Sequence, residues 1–309
     1  MKKLAIAIIV AALGWSAYWV VQARLTRSAL DTALSDLREA GWEASYGALD
    51  VRGFPNRIDV DISELSLADP ASGFAWDVPF LQVFRLVYNH SHFIFAFPDR
   101  QEIATSTGTW VVESEGLRSS LVLGDAQSLG RLHAEAESVT ATGEESRIDL
   151  SALRANFDAV EAGLPVYRLS VSARDGREAG REIALRGEVT FDQPPTLAGA
   201  PARIEAVEIA RMDYVLPEAS VALSGDLDVD ELGRLSGDVD VEAQDWQVLL
   251  EDAVAEGRVP EEWATTARGA LGLVASMRGS ADTLDVTLRL EDGRIFLGPI
   301  PVGTAPRLP

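Results

Sequence analysis

The sequence predicts a mainly β protein with a few α-helices (α+β): an N-terminal transmembrane helix, then an elongated, curved antiparallel β-meander with two late amphipathic helices. Three observations predict it. Leu4 to Val21 is a run of 18 residues without a charge. Beyond it, many short segments alternate apolar and polar residues, at a spacing of roughly 8–14 residues between turn signals. Late in the chain, two stretches carry apolar residues at helical spacing instead. The organisation expected is a signal anchor over residues 1–23, an amphipathic helix over 24–41 and a β-rich body over 42–309, with a helical insertion at about 244–278.

The anchor is read from length and flanks. As a helix, Leu4–Val21 is about 27 Å long, close to the roughly 30 Å hydrocarbon thickness of a bilayer. Leu4, Ile8, Leu13 and Val21 give it an apolar surface, and Trp15, Tyr18 and Trp19 stand near its far end, where amphipathic rings favour the interface. Cleavage at Val21-Gln22-Ala23 is the competing reading, but the bulky aromatics before that site fit a cleaved signal poorly. Lys2, Lys3 and the terminal amine favour a cytoplasmic N-terminus. The expectation is a single-pass inner-membrane protein with its body in the periplasm. From Leu25 to Ala40, Leu30, Ala33, Leu34 and Leu37 share one helical face, with Gly41 as the stop. Because the opposite face bears Asp and Glu rather than Lys, this face is expected to dock on the body.

Charge excludes several functions. The 309 residues carry a formal −21. The first 27 residues hold Lys2, Lys3, Arg24 and Arg27 and no acid, a net +4; the rest hold 23 arginines against 48 acids, a net −25. No basic face is concentrated enough for nucleic acid. With no cysteine, disulfides, thiol catalysis and thiolate metal sites are excluded. Much of the negative charge alternates with apolar residues, as at Asp59, Asp61, Asp226, Asp228, Asp238 and Asp240, which reads as the wet face of strands.

The β elements follow in order. In Arg57–Leu67, Ile58, Val60 and Ile62 alternate with acids, and the apolar phase then shifts to Leu65 and Leu67, which predicts a β-bulge near Ser63-Glu64. Pro79–Tyr88 and Phe93–Phe97 read as strands joined by Asn89-His90-Ser91. Further strands are expected at Thr109–Glu113, Leu117–Leu123, Arg131–Thr140, Arg147–Leu153, Val166–Ala173, Glu182–Phe191 and Ser220–Asp230. Asp292-Gly293 predicts a type I′ hairpin in which Glu291 faces Arg294, Leu290 faces Ile295 and Leu288 faces Leu297. The two helices present the stripes Trp246, Leu249, Leu250, Ala253, Val254 and Trp263, Ala267, Leu271, Val274, Met277, the second starting at Pro260. They are expected to cover a sheet face. The proline-rich tail after Gly298 should be extended.

The search for chemistry returns little. There is no GxSxG, P-loop, GxGxxG or HExxH motif. His90 and His92 form the only close histidine pair and lack a third ligand; Asp226, Asp228 and Asp230 begin like a calcium loop, but Glu231 stands where that loop needs Gly. No enzyme, metal site or cofactor is expected. The most pointed feature is aromatic: Phe93, Phe95 and Phe97 share one strand face, and Phe80, Phe84 and Tyr88 one face of the neighbouring strand. A filled core and an apolar groove for acyl chains both accommodate such rings.

The segments GWEASYGALDVRGFPNRIDVDISELSL, FAWDVPFLQVFRLVYNHSHFIFAFPDRQEI and LRLEDGRIFLGPIPVGTAPRLP resemble the alphaproteobacterial membrane-anchored family catalogued as domain of unknown function 2125. RGFPNRIDV and DGRIFLGPIPVG are its more specific parts, and the family implies no activity and no catalytic residues. By architecture alone the chain is also similar to AsmA-like envelope proteins, whose groove-shaped sheets imply lipid handling. The expected function is therefore lipid binding or transport through an apolar groove of Phe80, Phe84, Tyr88, Phe93, Phe95 and Phe97. Its partners would be the inner membrane and a lipid. The alternative is a non-enzymatic scaffold for envelope proteins, recognised through edge strands.

Overall fold

The computed structural model describes residues 2–106, 108–144, 146–176, 180–196, 202–255, 261–277 and 280–308. The chain forms two compact units, one of residues up to 123 plus 132–151, the other of 124–131 plus 152 onward.

The first unit opens with α1 (Lys2–Glu39), a single continuous helix of 38 residues. The expected division between an anchor ending at 23 and a second helix starting at 24 is absent, because nothing between Val21 and Leu30 breaks a helix: there is neither proline nor glycine. The stop is at Gly41, whose φ of +95° is open to glycine. There Trp42 N–H donates to Leu37 O (3.0 Å) and Gly41 N–H to Arg38 O (3.1 Å), a Schellman closure that satisfies the last carbonyls.

The strands are β1 (Glu43–Ser45), β2 (Ala48–Arg52), β3 (Arg57–Asp69), β4 (Phe74–Leu86), β5 (His92–Ala96), β6 (Arg100–Thr105), β7 (Gly108–Glu115), β8 (Arg118–Leu123), β9 (Leu129–Thr142) and β10 (Arg147–Ala159); the unit boundary falls within the last two. All pairings given a register are antiparallel. β3 lies between β1 and β2 on one side and β4 on the other. The far side of β4 is shared: β5 bonds Gln82–Phe84, and β6 bonds Ala75–Asp77. Pro79 falls in the gap between them, where its missing N–H costs no ladder bond. The expected bulge at Ser63-Glu64 is not formed. Ser63 pairs with Phe80 and Leu65 with Val78, so register is kept across Glu64. Glu64 instead takes φ +50°, and this local twist brings Ile62 and Leu65 into one core.

That core is Leu49, Ile58, Val60, Ile62, Leu65, Val78, Leu81 and Val87. Trp19, Ala23 and Leu30 of α1 pack against it, and Leu34 is buried. Each fully buried leucine of this kind contributes about 2 kcal/mol.

The second unit continues with β11 (Val166–Asp175), β12 (Glu182–Phe191), β13 (Ile204–Val215), β14 (Ser220–Val229), β15 (Leu235–Gln244), β16 (Thr283–Glu291), β17 (Arg294–Leu297) and β18 (Ile300–Thr304), each paired with the next. The hairpin of β16 and β17 has the expected register at Glu291, Leu290 and Leu288, with Asp292 and Gly293 both at positive φ. The tail is extended in β18. Helices α2 (Trp246–Ala255) and α3 (Glu261–Met277) cover one sheet face, where Trp246, Leu250 and Ala275 meet Ala243, Leu284 and Val286. Pro260, and the side chains of Trp263, Ala267, Val274 and Met277, lie outside the described residues; Leu271 packs on the core as its stripe requires. At the other end of the unit, Tyr167 stacks on Phe157 (5.0 Å) and Phe191 meets both edge-on.

The carboxylates divide by strand. Asp226, Asp228, Asp238 and Asp240 are exposed, but Asp59 is buried and Asp61 half-buried. The wet-face reading fails for those two because neighbouring polar groups cover them: Arg57 pairs with Asp59 at 2.6 Å, and Gln82 donates to Asp61 at 2.6 Å.

Helix α2 is pinned by one buried ion pair. Arg181 Nη2 reaches Asp252 Oδ1 at 2.6 Å, both side chains being about nine-tenths out of solvent. Removing Asp252 would take a carboxylate from a buried guanidinium that also donates to Tyr214 Oη. Asp252→Ala should therefore lower the unfolding free energy by about 3 kcal/mol in urea titration. Glu135→Ala, which breaks the exposed Arg118–Glu135 pair, should cost at most about 1 kcal/mol.

Candidate functional site

The functional candidates converge on one end of the first unit, where α1 meets two loops: 53–56 between β2 and β3, and 87–91 between β4 and β5. The geometry begins at Gly53. It has φ +101°, and a Cβ there would lie 2.8 Å from Arg57 O. Glycine is required, and it lets Arg57 N–H donate to Gly53 O at 2.9 Å, closing the loop. The Phe54–Pro55 peptide is cis. This loop is bound to its neighbour by Val87 N–H donating to Asn56 O at 2.9 Å.

The aromatics of α1 hold both loops. Trp15 Nε1–H donates to Pro55 O (2.9 Å), Trp19 Nε1–H to Arg57 O (2.7 Å), and Tyr18 O–H to Val87 O (3.4 Å). The Phe54 ring meets Trp19 edge-on at 5.6 Å. Further along, Arg85 Nη2 donates to Thr26 Oγ1 at 2.8 Å, and Tyr46 O–H to Asp31 Oδ1 at 2.9 Å. The Tyr46 phenol is held above its ordinary pKa, chiefly because it donates to that carboxylate.

The predicted anchor residues Leu4, Ile8, Leu13 and Val21 are exposed on α1, Trp15 and Tyr18 are exposed beside their hydrogen bonds, and Trp19 is half-buried. α1 is the one helix among the described residues long and apolar enough to cross a membrane.

The six groove aromatics are not brought together. Val83 pairs with Phe95 and Phe84 with Ile94, and directly opposed residues share a face. Phe93, Phe95 and Phe97 therefore lie on the side of Leu81 and Val83, and Phe95 and Phe97 pack on the filled core beneath α1. Phe84 and Phe80 lie on the opposite side. Phe80 is 40% exposed, and Tyr88 is in the loop that follows β4.

That opposite side holds a cavity of about 380 Å³, whose walls include Phe84, Leu86, Ile94, Arg57, Asn89 and His92. The Arg57 guanidinium lies over the Phe84 ring at 5.9 Å. Among the described residues the lining has no carboxylate. A second cavity, of about 420 Å³, opens around Pro79 in the gap between β5 and β6, and Glu64, Asp77 and Glu102 make it acidic. Sequence reasoning missed Arg57, Leu86 and Ile94. The available signal was the absence of any acid between Asp77 and Asp99.

The two histidines point to different partners. His92 Nε2 is 2.9 Å from Ser120 Oγ. His90 Nδ1 lies 2.9 Å from Arg85 Nη1 and its Nε2 3.4 Å from Tyr18 Oη. Because Arg85 can only donate, His90 Nδ1 accepts and Nε2 carries the proton. Burial, and secondly the Arg85 charge, push the His90 pKa below its ordinary 6.5. Among the described residues no group of three His, Asp or Glu is placed to hold a metal ion.

Together these features define a β-sheet protein whose long apolar N-terminal helix is docked on the strands of its first unit. The chain belongs to the bacterial family described as "Uncharacterized protein conserved in bacteria (DUF2125)", whose family model matches residues 19–306, from the docked half of α1 to beyond β18. No curated protein and no solved structure gives a significant match, and the similarity to AsmA-like proteins finds no support there.

Two outcomes follow for the docking end. Gly53→Ala should displace the Arg57 carbonyl from Trp19 and lower stability by about 1–3 kcal/mol, read by thermal unfolding of the full chain in detergent. His90 is neutral when folded and takes up its proton in the unfolded chain first. Its contribution is present above pH 6.5 and is lost as pH falls from there through its lower folded value. The wild type should lose stability over that window, and His90→Asn should lose less.

Proposed function

We propose that this is a single-pass inner-membrane protein whose periplasmic body, without catalysis, binds the acyl part of a membrane lipid in the cavity beside Phe84. The observation that carries the reading is the cavity's place and lining. Phe84, Leu86 and Ile94 offer apolar contact, Arg85 brings a cation to the lining beside the Arg57–Asp59 pair, and the loop that holds α1 forms part of the wall. A lipid is the ligand class that presents a chain and a phosphate together. Its volume lies within the usual range for small-ligand sites and takes part of a chain rather than a whole lipid. In this reading α1 spans the bilayer, with Lys2 and Lys3 on the cytoplasmic side. The original groove is narrowed to Phe84 alone, since the core already occupies the side of Phe93, Phe95 and Phe97.

The test uses the full-length protein in mild detergent, washed and then measured by native mass spectrometry. Wild-type protein should retain phospholipid through washes that strip Phe84→Asp and Ile94→Asp, with each variant's circular dichroism unchanged. Equal retention by the three proteins would overturn the assignment of the cavity. An empty wild type carrying one stoichiometric protein partner would favour the scaffold reading instead.

A further inference from the structure

We propose that loops 53–56 and 87–91 are themselves membrane-embedded, lying in the headgroup and upper acyl region of the leaflet beside α1. The inference rests on the reading of α1 as a membrane span and adds the depth at which the body sits.

The first argument is length. Only Lys2 to Gly14 extend free of the body, 13 residues, about 20 Å of helix, against about 30 Å of hydrocarbon. The charged Lys2 and Lys3 shorten the apolar part further. To complete the crossing, the span must include Trp15 to Val21. Those are the residues whose side chains bond Pro55 O, Val87 O and Arg57 O. The loops are thus tied to the part of the helix that the membrane must cover.

The second argument is what the loops present. Phe54 is 57% exposed and Tyr88 63% exposed, and both stand at the tips. In a body of net −25, there is no acid between Asp50 and Asp59 or between Asp77 and Asp99. Arg52 and Arg57, paired with Asp50 and Asp59, flank these tips together with Arg85, whose charge is the one of these suited to a lipid phosphate. The third argument is hydrogen bonding. Backbone polar groups are expensive in lipid unless paired. Here Arg57 N–H, Val87 N–H and Asn89 N–H donate to Gly53 O, Asn56 O and Leu86 O, and Ser91 N–H donates to Asn89 Oδ1. The carbonyls of Pro55, Arg57 and Val87 accept from α1. The occupant that fits an aromatic, acid-free tip, partly paired within the protein and set at the root of an apolar helix, is the bilayer interface.

The chain has no cysteine, so a single introduced one takes a label uniquely. Phe54→Cys, Tyr88→Cys, Ile8→Cys and Ala71→Cys would each carry an environment-sensitive fluorophore in the full-length protein. Ala71 follows β3 at the opposite end of that strand, about 40 Å from the loops by strand rise. The proteins would be reconstituted in vesicles of phosphatidylcholine with phosphatidylglycerol, bearing nitroxides at the headgroup or in the acyl chain. Labels at 54 and 88 should be quenched by headgroup and shallow-acyl nitroxides and severalfold less by aqueous iodide than the label at 71. Among the described residues Tyr88 has no ring partner that its loss would disturb, so its label stands even if Phe54→Cys loosens Trp19. Labels at 54 and 88 as open to iodide as the one at 71, with Ile8→Cys buried, would overturn the proposal while leaving the span intact. Iodide access at Ile8→Cys would overturn the span itself. Shielding from iodide without nitroxide quenching would mean that protein, not lipid, covers the tips, and would also overturn the proposal.

Discussion

The docking of α1 on the strands of the first unit is the interaction on which the rest of that unit depends. The helix supplies one wall of its core: Trp19, Ala23 and Leu30 recur at intervals of four and seven residues, the spacing of a single helical face, which the buried Leu34 continues. Without them the side formed by Ile58, Val60, Ile62 and Leu81 would face water. Because no glycine or proline interrupts the helix between Val21 and Leu30, the apolar segment and the docked segment share one register. The direction in which Leu4 to Gly14 leave the unit is therefore set by side chains that lie well beyond them.

Arg57 shows how tightly this corner is made. Its N–H closes the 53–56 loop, its carbonyl accepts from Trp19, and its guanidinium pairs with Asp59 while lying over Phe84. One residue thus connects helix, loop and cavity wall. The contribution of the Arg57–Asp59 pair is limited by the exposure of the arginine side chain, but its geometric effect is larger. It holds the guanidinium against the Phe84 ring, in a lining that joins the apolar Leu86 and Ile94 to Arg85, Asn89 and His92.

Most of the fold was legible where one physical rule acts alone. The β16–β17 register follows from Asp292-Gly293, since only positive φ at both residues closes a two-residue turn with the strands' own twist. The stop of α1 follows from Gly41 for the same kind of reason. Legibility fails where two rules compete. Leu65 breaks the alternation of β3, which signals an inserted residue or a twisted one with equal force; the strand uses the twist at Glu64. The aromatic strands were misread as one lining because alternation fixes faces within a strand but not between strands. Only the register of Val83 with Phe95 decides that Phe84 and Phe95 point oppositely. The docking end was invisible for another reason: its contacts join residues 38 to 72 positions apart, and pattern alone does not report them.

The charge distribution then takes on a different sense. A net −25 over the body would repel it from anionic headgroups if spread evenly. It is not spread evenly. Carboxylates stud the exposed positions of β14 and β15 and are missing from the two stretches that form the loops at α1. Asp59, the acid nearest that end on β3, is buried and neutralised by Arg57. Within the first unit, the loops where the apolar helix emerges carry no carboxylate to repel anionic headgroups. In the proposed membrane reading, the lack of carboxylates at the loops beside α1 and the register of the helix favour the same approach of the first unit to lipid.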